Sequence, residues 1–204
     1  MKKTILVVDL DGTLYSINTF HYFLLFLVKY SVKHADMVLL FKIMLLAFKR
    51  LLKIISHAKL KYEVLKSIKN KSDLNYQKFV SSIRNKRRTI PAMNENFDAK
   101  YLVTAAPTCY ASIIAQEEGF DQCLGTNFPD GEFDLVFENS KGNKKVNLQN
   151  LGVEKIDVLV TDHLDDLPLM TIASQSIIVD PSKKMEEELH FHQIDFVELK
   201  IEEY

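Results

Sequence analysis

Residues 5–15 read Ile-Leu-Val-Val-Asp-Leu-Asp-Gly-Thr-Leu-Tyr. Four apolar, mostly β-branched residues run straight into two carboxylates, Asp9 and Asp11. Such a run predicts a buried strand over 4–9. Residues i and i+2 share a strand face, so Asp9 and Asp11 start from one side of its carboxyl end. Two neighbouring carboxylates repel unless a cation or a shared proton compensates. A second acidic group, Asp162, Asp165 and Asp166, follows another short apolar run at 158–160. Asp-Gly after a strand is also an ordinary turn, and acids at strand ends also cap helices. Two such strand ends on one sheet edge, however, make an oxygen-rich site suited to Mg²⁺, a hard octahedral ion.

The elements that must position these groups alternate. After the first strand, residues 20–88 show a helical pattern with no Gly or Pro. Pro91 and the run Asn94-Glu95-Asn96 mark the exit. Strands are then expected at 101–104, 158–160, 176–179 and 196–199, and helices at 108–118, 144–151, 166–173 and 182–189. Residues 123–137 read as a hairpin turning at Pro129-Asp130-Gly131. Short apolar runs between helices indicate a parallel sheet covered on both faces. The expected fold is α/β, a Rossmann-like parallel sheet core (1–18 and 89–204) with an all-helical cap (19–88) inserted after the first strand. Open α/β sheets place their ligands at the carboxyl ends of their strands, where the aspartates fall.

The 204 residues are 47% apolar with a net charge of −1, an ordinary globular composition. Two cysteines, Cys109 and Cys123, exclude a disulfide framework and suit a reducing cytoplasm. The near-neutral total hides an asymmetry. Residues 29–88 carry 16 Lys/Arg against 3 Asp/Glu, or +13; the remainder carries 10 against 24, or −14. The N-terminal apolar stretch stops at Asp9, short of the roughly 7–15 residues of a signal peptide's core. No apolar run reaches the roughly 18 residues of a membrane span.

Asp9-Leu10-Asp11-Gly12-Thr13-Leu14 resembles the DxDGT motif of the haloacid dehalogenase-like superfamily, and three later stretches resemble that family's other motifs in order. Leu102-Val103-Thr104-Ala105-Ala106-Pro107 is similar to motif II, Lys141-Gly142-Asn143-Lys144-Lys145-Val146 to the lysine motif, and Asp162-His163-Leu164-Asp165-Asp166-Leu167-Pro168 to the acidic motif IV. A helical insert straight after the first motif is like the phosphoserine phosphatase-like branch.

The resemblance implies that Asp9 is a nucleophile forming an aspartyl-phosphate and Asp11 a general acid and base. It implies Mg²⁺ held by Asp9, the backbone carbonyl of Asp11, and Asp162, with Thr104 and a lysine on the phosphoryl oxygens. Asp166 would orient metal-bound water or the lysine. Lys145 fits one family spacing and is preferred; Lys141 fits another. An acid at position 11 favours phosphoryl chemistry over dehalogenation. His163 stands where a small residue is usual and reads as a loop histidine; Cys109 is given no catalytic role. Asn18 stands where phosphoserine phosphatases carry a Glu for the substrate amine, which disfavours a serine phosphate.

The expected activity is hydrolysis of a small or lipid-linked phosphate ester. The rivals are phosphoryl transfer to an alcohol and a non-catalytic module that docks the insert at a membrane. The insert is both greasy and basic: on a helical wheel Lys42, Lys49, Arg50 and Lys53 fall within about 100°, leaving the rest of 36–55 apolar. Packing in a core or across an oligomer is the commoner fate of such a stripe. A membrane interface is the other, which would make the protein peripheral at the inner face of the membrane. The greasy insert also resembles that of phosphatidylglycerophosphatases of this superfamily. No nucleic-acid partner is expected, and the oligomeric state is open.

Overall fold

In the computed structural model, which describes residues 3–201, β1 (Ile5–Val8) lies at the centre of a six-stranded parallel sheet of order β3-β2-β1-β4-β5-β6. The expected core limits at 1 and 204 lie outside the described residues. The other strands are β2 (Ala99–Pro107), β3 (Gln122–Thr126), β4 (Ile156–Thr161), β5 (Ala173–Val179) and β6 (Phe196–Leu199). Side chains alternate across the sheet. Leu6 and Val8 join one apolar cluster and Val7 joins the other. The second cluster is closed by α6 (Gly142–Gln149), α7 (Leu167–Met170) and α8 (Lys183–Phe191) through Leu148, Leu169, Met185 and Leu189.

The first cluster is covered by α5 (Thr108–Glu117) and by four helices between β1 and β2: α1 (Thr19–Lys33), α2 (Met37–Leu51), α3 (His57–Ile68) and α4 (Tyr76–Ile83). Each of the four begins at a residue whose side chain accepts from the first turn: Asn18, Asp36, Ser56 and Asn75. Such caps satisfy amides that the helix leaves bare. The breaks are made without Gly or Pro, so ordinary residues take left-handed backbone: Ala35 at φ 53° and Lys53 at φ 57°. Phe23, Phe79 and Tyr110 pack together where the insert meets α5. The insert therefore shares its apolar interior with the sheet instead of enclosing one of its own.

Two expectations are corrected. Residues 123–137 are not a hairpin. β3 runs parallel to β2 at the sheet edge, and the chain beyond it forms no strand. Phe133 and Phe137 turn onto Tyr62 of α3, whose hydroxyl donates to the Gly131 carbonyl at 2.6 Å. The alternation there serves that aromatic contact and not a strand pair. The helix expected over 166–173 shrinks to a 3₁₀ turn, Leu164–Asp166, followed by α7, because Ala173 already belongs to β5.

Candidate active site

Register sets the site. Val8 pairs with Leu102 on one side and Val160 on the other. Two residues further along, Thr104 and Asp162 flank the chain just past Asp9. The Asp9 amide continues the ladder, donating to the Val160 carbonyl at 2.9 Å. The chain then turns sharply: Gly12 has φ 78°, and a Cβ built there would stand 1.9 Å from Asp162 Oδ2. A glycine is required on both counts, for the backbone and for the close approach of the neighbouring carboxylate. Thr13 then donates its hydroxyl to Asp162 Oδ1 at 2.9 Å.

The lysine at the centre is Lys144, neither of the two expected. Its Nζ lies 2.7 Å from Asp9 Oδ1 and 2.7 Å from Asp166 Oδ1, and all three side chains are buried. Asp166 is fixed from behind by Thr161 Oγ1, which donates at 2.7 Å. Lys145 points away, its Nζ 3.4 Å from the Thr171 hydroxyl, and Lys141 is exposed with its Nζ 3.9 Å from Asp165 Oδ1. The cause is helical phase. In α6 the buried positions are Lys144 and Leu148, one turn apart, and only that face meets the sheet.

Burial raises the Asp9 carboxyl most; Lys144 opposes it while Asp166 and Asp162 add to it, leaving it at about 8. Burial also lifts Asp162 and Asp11 above the ordinary carboxylate range, against a hydrogen bond from Thr13 to the first and from Thr19 to the second. The Thr19 amide donates to Asp11 Oδ1 at 2.8 Å. Burial would lower the Lys144 ammonium, but Asp166 and Asp9 reverse that and hold it above its usual value. Crowded carboxylates are thus incompletely neutralised by protein cations, the condition a divalent ion relieves. Among the described residues no three His, Cys, Asp or Glu side chains close on one point. Mg²⁺ does not require that: it usually takes one or two carboxylates and completes its shell with water and phosphate oxygens. Asp9 and Asp162, at neighbouring strand ends, are two such carboxylates.

The family model for haloacid dehalogenase-like hydrolases matches residues 6–171, most of the chain. The chain belongs to this family. Its fold is that of the family's phosphoserine phosphatase-like branch. A protein of unknown function from Bordetella pertussis Tohama I superposes with a TM-score of 0.70 at 15% identity, covering 97% of this chain and 99% of the other. A family hydrolase from Salmonella enterica serovar Typhi gives 0.60 at 11% identity, covering 95% and 67%. A phosphoserine phosphatase captured as a phospho-aspartyl intermediate analogue gives 0.57 at 16% identity, covering 100% and 95%. No curated protein matches.

Over this haloacid dehalogenase-like site sits a group that sequence reasoning missed. Lys61, on α3, is 2% exposed. It donates to the Ala105 carbonyl at 2.6 Å and bonds Glu138. His57 Nδ1 is 3.4 Å from the same carboxylate, and His21 meets His57 edge-on. Desolvation would raise Glu138, but His57 and Lys61 hold it down at about 2. The available signal was spacing: Lys61 shares a helix face with Leu65 and Ile68, both buried. Thr104 is buried, its hydroxyl accepting from the Ala106 amide at 3.0 Å. Asp165 and His163 face outward; the His163 Nδ1 accepts from the Asp165 amide and starts the 3₁₀ turn. Asn18 is the exposed cap of α1, accepting from the His21 amide at 3.0 Å.

Proposed function

We propose that this protein is a Mg²⁺-dependent phosphomonoester hydrolase that works through an aspartyl-phosphate on Asp9. The observation that carries the reading is the bonding of Asp9. Lys144 fixes one of its oxygens, while Asp162, tied to Thr13, packs against the turn that follows it. An oriented, buried carboxylate whose neighbour is a fixed ammonium is poised to attack along one line. The other Asp9 oxygen would bond phosphorus as the ester oxygen leaves, and Asp11 would give that oxygen its proton. Water would then attack the same phosphorus, Asp11 would take up the water's proton, and phosphate would depart as Asp9 is restored. Lys144 and the Thr104 hydroxyl serve the phosphoryl oxygens, and Asp166 keeps Lys144 in place. Asp9, Asp162 and the Asp11 carbonyl would hold Mg²⁺, which would supply charge screening between nucleophile and phosphate.

The insert acts as a cap over this edge. Lys61 joins α3 to both Ala105 and Glu138, tying the cap to the core. Asn18 offers a substrate amine no carboxylate and uses its oxygen to cap α1, which argues against a serine phosphate. The basic insert favours an anionic ester, small or lipid-linked, and the free thiols of Cys109 and Cys123 suit a reducing cytoplasm.

Turnover of an aryl phosphate with Mg²⁺ tests the proposal. Asp9→Asn should lower it by at least about 10³-fold while leaving the fold intact. Equal turnover by the two proteins would remove the enzymatic reading.

A further inference from the structure

α2 is buried on one narrow stripe only, through Leu39, Ile43 and Leu46. On the opposite side Val38, Phe41, Met44, Phe48 and Leu51 are 57–82% exposed. At about 100° per residue these side chains span an arc of about 140°. Ile54, 64% exposed, extends the patch past the helix end. Soluble monomers rarely leave so continuous an apolar surface uncovered without a partner. Lys42 and Lys49 border the arc, and α2 contains no Asp or Glu.

We propose that this face of α2 is a docking surface for an anionic lipid bilayer, with the apolar row entering the interface and the flanking cations meeting headgroup phosphates. Charge decides between this partner and a second copy of the chain. The three carboxylates of 29–88 are already engaged within the insert. Asp36 pairs with Lys71, Glu63 with Lys42 and Lys59, and Asp73 accepts from the Tyr30 hydroxyl. Core carboxylates answer Lys61, Lys69, Arg84, Arg87 and Arg88. Among the described residues, however, no carboxylate pairs with Lys49, Arg50 or Lys53, so α2 and the turn after it keep a surplus of positive charge facing outward. Symmetric self-association would set that surplus against itself, because an isologous interface pairs each patch with its own copy. An anionic surface attracts it and takes the apolar row in the same contact. No helix among the described residues is long and apolar enough to cross a membrane, so the seat is peripheral. The surface does not depend on whether Asp9 turns over phosphate.

Co-sedimentation at low salt with vesicles of phosphatidylcholine, alone or mixed with phosphatidylglycerol, tests the surface. Wild type should pellet with the mixed vesicles and several-fold less with the neutral ones. The exposed pair Phe41→Glu/Phe48→Glu should weaken binding about 10-fold or more, and Lys42→Gln/Lys49→Gln should abolish the preference for phosphatidylglycerol. Thermal melts should leave both variants folded, and their aryl phosphate turnover should equal wild type. Wild type remaining in the supernatant, or Phe41→Glu/Phe48→Glu binding as wild type does, overturns the proposal. So does a wild-type dimer by light scattering that Phe41→Glu/Phe48→Glu splits while wild type ignores vesicles; the face then belongs to a second copy. Vesicle binding without turnover would count only against the phosphatase.

Discussion

At the carboxyl ends of β1 and β4, charged side chains are buried and answered one by one, Lys144 by Asp9 and Asp166, Asp162 by Thr13. Along α2 the reverse holds, with large apolar side chains standing in solvent and cations beside them. Desolvation is costly for a charge and favourable for a Phe, so each region is arranged against its simplest tendency. The sheet edge meets part of its cost by fixed partners inside the chain, and the carboxylate charge left over is what a divalent ion would answer. α2 has no such partner within its own fold, which is why it points to something outside it. Local polarity alone therefore misleads; what teaches is whether each group's need is met internally.

The largest effect that would sharpen this contrast lies at the matched charges. Lys144→Met should lower aryl phosphate turnover by about 10²–10³-fold, since it removes a fixed cation from the site where charge develops. Lys145→Met and Lys141→Met should stay within about 3-fold of wild type. A large loss at Lys145 would break the assignment drawn from helical phase. Next comes Gly12→Ala, whose methyl must displace Asp162 and strain the turn. A cost of about 2–4 kcal/mol in urea unfolding is expected, together with weaker Mg²⁺ binding by calorimetry.

The Glu138 pair gives an intermediate effect. Its folded carboxyl lies at about 2, below the usual range, so it stabilises the fold above about pH 4.5. That contribution is lost as pH falls through the folded value. Burial lowers the Lys61 ammonium as well, with Glu138 opposing the shift, so the pair is worth less than the Glu138 shift alone suggests. Glu138→Gln should cost about 1–3 kcal/mol at neutral pH and flatten the acid limb of the stability profile. The smallest effect is in the insert's turns. Ala35→Gly relieves a left-handed backbone at φ 53° and should add up to about 1 kcal/mol of stability.

Much of the fold was legible because burial in a parallel sheet leaves continuous apolar runs such as 5–8, and because 20–88 keeps a helical pattern. The four separate helices, begun at Asn18, Asp36, Ser56 and Asn75, were not resolved. The strand-end aspartates were legible from period two. Lys144 was not, because it differs from its neighbour Lys145 only in helical phase, fixed by Leu148 against the sheet, while Lys141 stands just before the helix. The false hairpin at 123–137 has the same origin. Alternating Phe133, Leu135 and Phe137 specify a face, and the chain spends two of them on Tyr62 and exposes Leu135 at 90%. Lys61 escaped notice because a cation within a basic, helical segment looks solvated until the neighbouring Glu138, distant in sequence, is brought beneath it.

The two strands that frame the nucleophile join it from far along the chain, Ala99 pairing with Ile5 and Val160 with Val8. Closing such long loops is entropically late work in folding, however quickly the local helices form. No amino-terminal fragment that ends before Asp166 can gather positions 9, 104, 144, 162 and 166 together. Acquisition of the complete constellation should therefore come late in synthesis, and its appearance would report that β1 has paired with both β2 and β4.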